Sequence, residues 1–150
     1  RPAANLKGQL RAAASAPEAF EVWLCVFGSP MAAEYQAVVD DFREEGGSSK
    51  VKMIVSEVDF GVYGRFLLAS GAKTRYVYII DDDVSFPVSA AGQYLRHIQK
   101  QPGVWGHAGH IRRGDPETAR WVDRPKKPTA VDYANAAWFL ETQWIASAFL

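Results

Sequence analysis

The chain has 150 residues, 48% hydrophobic and 13% aromatic, which is enough apolar mass for one globular domain and too much for a disordered segment. Lys+Arg and Asp+Glu both number 17, so the balanced charge excludes a global electrostatic pull toward nucleic acid or an acidic membrane surface. No apolar run reaches the length of a membrane span. The single cysteine, Cys25, excludes an internal disulfide and reads as a buried, inert thiol within "EVWLCVF".

In chain order, residues 1–17, "RPAANLKGQLRAAASAP", read as a linker or a short frayed helix, with a faint likeness to a transit segment. A lost N-terminal anchor would place the protein in the Golgi or endomembranes, and its absence in the cytoplasm. Residues 18–150 read as the folded domain. The apolar run 21–27 predicts a strand buried on both faces. Ser29 and Pro30 then suit a helix start, with Met31, Tyr35, Val38 and Phe42 at helical spacing and Gly46-Gly47 as its stop. "KVKMIVS" predicts a second strand, residues 62–70 a short helix ended by Gly71, and residues 76–80 a third strand.

Strand, helix, strand, helix, strand predicts an α/β domain with a parallel sheet and right-handed crossovers. Such sheets bind ligands beyond the carboxyl ends of their strands. Further on, Ser89 suits a helix cap, Ala91, Tyr94, Leu95 and Ile98 an apolar face, and Pro102-Gly103 its end. "VWGHAGHI" predicts a strand. Residues 112–127 read as a polar, mobile loop with six basic and three acidic residues, a local +3. "VDYANAAWFL" begins as a strand, and a helix starts at about Thr142.

The chemistry centres on "YVYIIDDDVSFP". Asp81, Asp82 and Asp83 follow a buried strand at the ligand edge of the expected sheet. Three adjacent carboxylates repel one another, and burial sharpens the repulsion, so either a positive charge or water must sit there. Hard oxygen donors suit Mg2+ or Mn2+, which can also hold phosphate oxygens. In extended chain Asp81 and Asp83 share one side and Asp82 takes the other. The plain alternative is a solvated acidic turn. His107 and His110, three apart, fall on opposite sides of a strand and lack further zinc ligands.

"YVYIIDDDVSFP" resembles the metal-binding DXD segment of glycosyltransferases with the Rossmann-like GT-A fold, in the DDD form of exostosin-like and family-2-like members. "FGVYGRFLLASGAKTRYVYIIDDDV" resembles their stretch in which an Arg-Phe pair opens a helix before that strand. "VDYANAAWFLETQW" resembles their later small-residue segment, where donor sugar and acceptor meet. The resemblance implies a mostly parallel central sheet with flanking helices. It also implies transfer of a hexosyl or N-acetylhexosaminyl unit from a nucleotide-sugar to a glycan, protein or lipid acceptor, dependent on Mn2+ or Mg2+. By match to the motif, Asp83 is the principal metal ligand, Asp81 touches the metal shell or ribose, and Asp82 lies close by. Arg65 would meet phosphate, and Gly28 would allow close approach of the nucleotide to the first strand's end. Asn135, Trp138 and Asp132 would lie on the acceptor side, with Asn135 standing where the family carries a glycine.

In inverting relatives a carboxylate pair follows this segment as general base. Glu141 is the only carboxylate near and is not assigned that role, so the base is expected beyond Leu150 and the domain is expected to be incomplete at its C-terminal side. Two other readings follow from the same residues: a GT-A-like module that binds without transfer, and a phosphatase similar to the haloacid dehalogenases, with Asp81 as nucleophile and Asp83 as acid/base. The latter motif normally opens its domain, whereas here two strand–helix units precede it.

Overall fold

The computed structural model describes residues 5–81, 84, 87–111, 120–123, 128–135 and 137–148. Helix α1 spans Leu6–Ser15. Leu6, Leu10 and Ala14 recur every four residues, share one face, and are all buried. They pack with Val39 and Phe42 of α2 (Ala32–Glu44) and with Val51 of β2 (Val51–Ser56). Of the two readings of residues 1–17, linker or short frayed helix, the helix is the one found, over Leu6–Ser15, and it is packed into a core where a loose linker or frayed end was expected. The alanine-rich composition that suggested a linker also favours helix, and its few large apolar residues align in one stripe. The domain therefore does not begin at residue 18. Lys7 donates to Glu45 at 2.6 Å, which holds that exposed carboxyl below its ordinary range, and Arg11 adds a contact at 3.2 Å.

β1 (Val22–Phe27) pairs in parallel with β2, from Val22 opposite Val51 to Phe27 opposite Ser56. Between them, the Met31 amide donates to Ser29 Oγ at 3.2 Å, so Pro30 lies in the approach turn and α2 starts at Ala32. Val39 and Phe42 supply its buried face. The helix stops where the sequence predicts: Gly46 adopts φ +80°, and the Gly47 amide returns to the Phe42 carbonyl at 2.9 Å.

A 3-10 turn at Gly61–Tyr63 leads into α3 (Gly64–Ser70) and then β3 (Tyr76–Ile80). β3 pairs antiparallel with β7 (Ala137–Glu141), from Tyr76 opposite Glu141 to Ile80 opposite Ala137. Ala69, Ile79, Leu140 and Ile145 form a second core on this ladder, with Ile145 from α5 (Thr142–Ala148). α4 (Ala90–Lys100) covers the other face, where Tyr94 stacks on Phe139 at 5.9 Å and meets Tyr78 edge-on at 5.5 Å. β4 (Ala108–Ile111) lies between β5 (Arg120–Asp123) and β6 (Tyr133–Asn135), both antiparallel to it.

The class is mixed α/β, as expected, but the mostly parallel central sheet is not found. Three small sheets occur among the described residues, and β1–β2 is their one parallel pairing. The departure arises because "VDYANAAWFL" is two strands, the second of which returns beside β3 in the opposite direction. "VWGHAGHI" contributes only its last four residues to β4, with Trp105 bridging separately to Phe139. Within the expected loop 112–127, Arg120–Asp123 is a strand, and residues 112–119 and 124–127 lie outside the described residues. A single apolar pair flanked by charges is too short for its strand character to be read from alternation.

Candidate functional site

The carboxyl ends of β1, β2 and β3 meet at the start of α3. Beyond β1, Gly28 adopts φ +54° and donates its amide to the Ser56 carbonyl at 2.9 Å. A Cβ at Gly28 would stand 2.7 Å from the Cβ of Asp59. Asp59 Oδ1 accepts from the Gly61 amide at 2.7 Å and so fixes the turn after β2. The Phe27 and Phe60 rings meet edge-on at 5.5 Å, and a side chain at Gly64 would collide with both. Two glycines thus let β1, the post-β2 turn and α3 interlock. Gly28→Ala is expected to lower stability by about 1–2 kcal/mol for the left-handed backbone alone, with the collision adding to it, as read by urea unfolding.

Arg65, in the first turn of α3, forms an ion pair with Asp81 immediately after β3. Each side chain is about 30% exposed, so the pair sits at a mouth, neither sealed nor fully in water. The Arg65 guanidinium lies 5.8 Å from the Trp138 ring centroid, and Trp138 meets Phe66 edge-on at 5.5 Å. The Trp138 indole donates to the Ala134 carbonyl at 3.1 Å. This tryptophan is half-buried against the second core, so its ring already has a packing role.

Of the sequence-predicted residues, Gly28, Arg65, Asp81 and Trp138 therefore converge. Asp82 and Asp83 lie outside the described residues. Asn135 stands in β6 opposite Ala108, and the exposed Asp132, just before β6, donates its amide to the His110 carbonyl at 2.9 Å, so both lie at the three-stranded sheet. Glu141 is buried at the far end of β7, opposite Tyr76, where Arg75 holds it at 3.1 Å and Gln143 at 2.6 Å. Four strand residues lie between that end of the ladder and Asp81, a separation of roughly 16 Å.

A cavity of about 850 Å3 runs between β1 and β3. Phe27, Ser29, Asp59, Arg65 and Asp81 border one mouth, and Glu21, Lys52, Lys73 and Arg75 the other. Lys52 at 2.5 Å, then the Trp23 indole at 2.7 Å, lower the Glu21 carboxyl below its usual range. Cys25, expected to be buried, is half-buried and lines the wall, where desolvation pushes its thiol up to about 11.

Asp59 went unnoticed in the sequence, although an Asp-x-Gly just past a strand is a usable turn signal. So did a cluster behind the site. The Tyr78 hydroxyl lies 2.8 Å from His107 Nε2 and the Tyr94 hydroxyl 2.6 Å from Nδ1. The two tyrosine rings also meet edge-on at 5.5 Å. Burial raises both phenols, Tyr94 to about 12 and Tyr78 further. The alternation of Tyr76 and Tyr78 in "YVYII" hinted at an aromatic face, but nothing local pointed to His107.

Among the described residues no group of three or more His, Cys, Asp or Glu side chains could hold a metal ion, and His107 and His110 are not brought together with further ligands. None of their helices is long and apolar enough to cross a membrane. Comparison with protein-family models, with curated proteins and with solved structures finds no match to the chain.

Proposed function

We propose that the chain binds the diphosphate of a nucleotide-sugar through a divalent cation at the carboxyl end of β3 and serves glycosyl transfer in the manner of a GT-A-like domain. The observation that carries the reading is the convergence of Asp59, Arg65 and Asp81 at one cavity mouth, where three strand ends meet and Gly28 packs against Asp59. The donor chemistry there fits Mg2+ or Mn2+: Asp81 offers a partly exposed carboxylate, and Asp82 and Asp83 follow it in sequence. Asp83 and Asp81 would hold the ion. When bound, the cation would neutralise the diphosphate as the sugar departs.

Arg65 is within reach of the same mouth and can pair with phosphate oxygens as a charge-assisted donor. Arg65→Ala is expected to weaken nucleoside diphosphate binding by roughly 10- to 150-fold, the equivalent of about 1.5–3 kcal/mol for a hydrogen bond to a charged group. Titration calorimetry with uridine and guanosine diphosphates, with and without Mn2+, tests the whole reading. Metal-dependent binding is the expected result, and binding indifferent to metal, or none, would overturn it.

The position of Glu141 favours a second reading. With that carboxylate at the opposite end of β7 and engaged by Arg75, it is not placed to activate an acceptor at Asp81. A module that binds the donor without turnover is the form this reading takes. It predicts nucleotide binding by this chain without sugar transfer. Release of phosphate from simple phosphoesters, without nucleotide binding, would favour the phosphatase instead.

A further inference from the structure

β1 makes its ladder with β2 and β3 makes its ladder with β7, each on one edge. Their other edges border the same cavity: every residue from Val22 to Phe27 and from Tyr76 to Ile80 lines it. A strand edge facing a cleft presents a row of N–H and C=O groups that a second strand could pair. The directions agree. Phe27 abuts Phe60 just before α3, and Asp81 pairs with Arg65 in the first turn of α3, so both strands end at the same place and run the same way.

The helices agree as well. α2 packs over Val22 and Leu24 of β1, whereas α3 packs over Val77 and Ile79 of β3. If β1 lay between β2 and β3, the β1–α2–β2 crossover would step outward and the β2–α3–β3 crossover would step back. Two right-handed crossovers of that kind place their helices on opposite faces of one sheet. Cys25 alternates with Leu24 and so faces the α3 side, as Val77 and Ile79 do.

We propose that the cavity is the open form of a closing sheet. β1 and β3 pair in parallel, giving one four-stranded sheet in the order β2-β1-β3-β7 and drawing the Phe27–Ser29 mouth onto Asp81. The inference concerns the fold and stands whether or not a nucleotide binds.

The single native thiol supplies the test. Neighbouring strands lie about 4.8 Å apart, inside the ~4.4–6.8 Å Cα separation a disulfide requires. Val77→Cys and Ile79→Cys are each equilibrated in a glutathione redox buffer, which makes the readout independent of the slow Cys25 thiol. Ser147→Cys, on α5, is the control. Closure predicts an intramolecular disulfide with Cys25 in at least one strand variant, favoured about a hundredfold over the control. Yields matching the control in both would overturn the proposal. Should both variants fail to fold, hydrogen exchange of the unmodified chain decides. Closure requires successive amides of β1 to be protected to within about tenfold of one another, whereas exchange at unpaired rates in every second amide would refute it.

Discussion

With asparagine in place of Asp83, nucleoside diphosphate binding is expected to lose its dependence on Mn2+ and to weaken by on the order of a hundredfold or more. Changes to groups that merely orient a metal ligand cost about 10- to 100-fold in metal affinity. Removing a charged ligand itself should exceed that. The amide keeps one oxygen and nearly the same volume, so folding should be spared, and the midpoint of urea unfolding checks this. Equal nucleotide affinity in Asp83→Asn and the parent chain would remove the cation from the proposal. It would leave Arg65 as the sole charged group argued to meet phosphate.

Replacing Leu10 with alanine is expected to cost about 2–5 kcal/mol, the range for truncating a buried leucine. Leu10 is 4% exposed and sits midway along the stripe that joins α1 to Val39, Phe42 and Val51. Loss on this scale is a large fraction of a small domain's total stability. If residues 1–17 were a linker, the same change would fall within about 0.5 kcal/mol. Lys7→Ala, on the same helix, is the internal control: its partners are exposed carboxylates, and such pairs are worth about 1 kcal/mol or less. Both are read by denaturant unfolding.

What could be read from the sequence was local. Tyr76–Ile80 is a strand over the residues its apolar run predicts, α5 begins at Thr142, and the glycine pair ends α2. In each case the determining chemistry lies within a few residues. The pairing partners were not legible. That β3 joins β7 depends on contacts some sixty residues apart, and the apolar pattern of each strand is the same whichever way its neighbour runs. The helix at the start was masked by composition, since alanine, serine and proline serve linkers and helix ends alike.

The site divides the same way. Asp81 at a strand end and Arg65 at a helix start were both visible, each as a candidate for something charged. That they would neutralise one another was not, because it requires the chain between them to fold back through α3. Trp138 carried the opposite lesson: its apolar neighbours suggested core, and it is packed on Phe66, yet it also lies against Arg65.

The meeting of Tyr78, His107 and Tyr94 has a consequence for proton stoichiometry. A neutral imidazole offers one donor and one acceptor, and each phenol can do both. The ring therefore accepts from one phenol and donates to the other, so Tyr78 and Tyr94 take opposite roles, set by the tautomer. Such a chain strengthens as its members polarise one another. A second proton on the ring would end that division of roles, since an imidazolium accepts from neither phenol and both hydroxyl hydrogens would have to turn elsewhere.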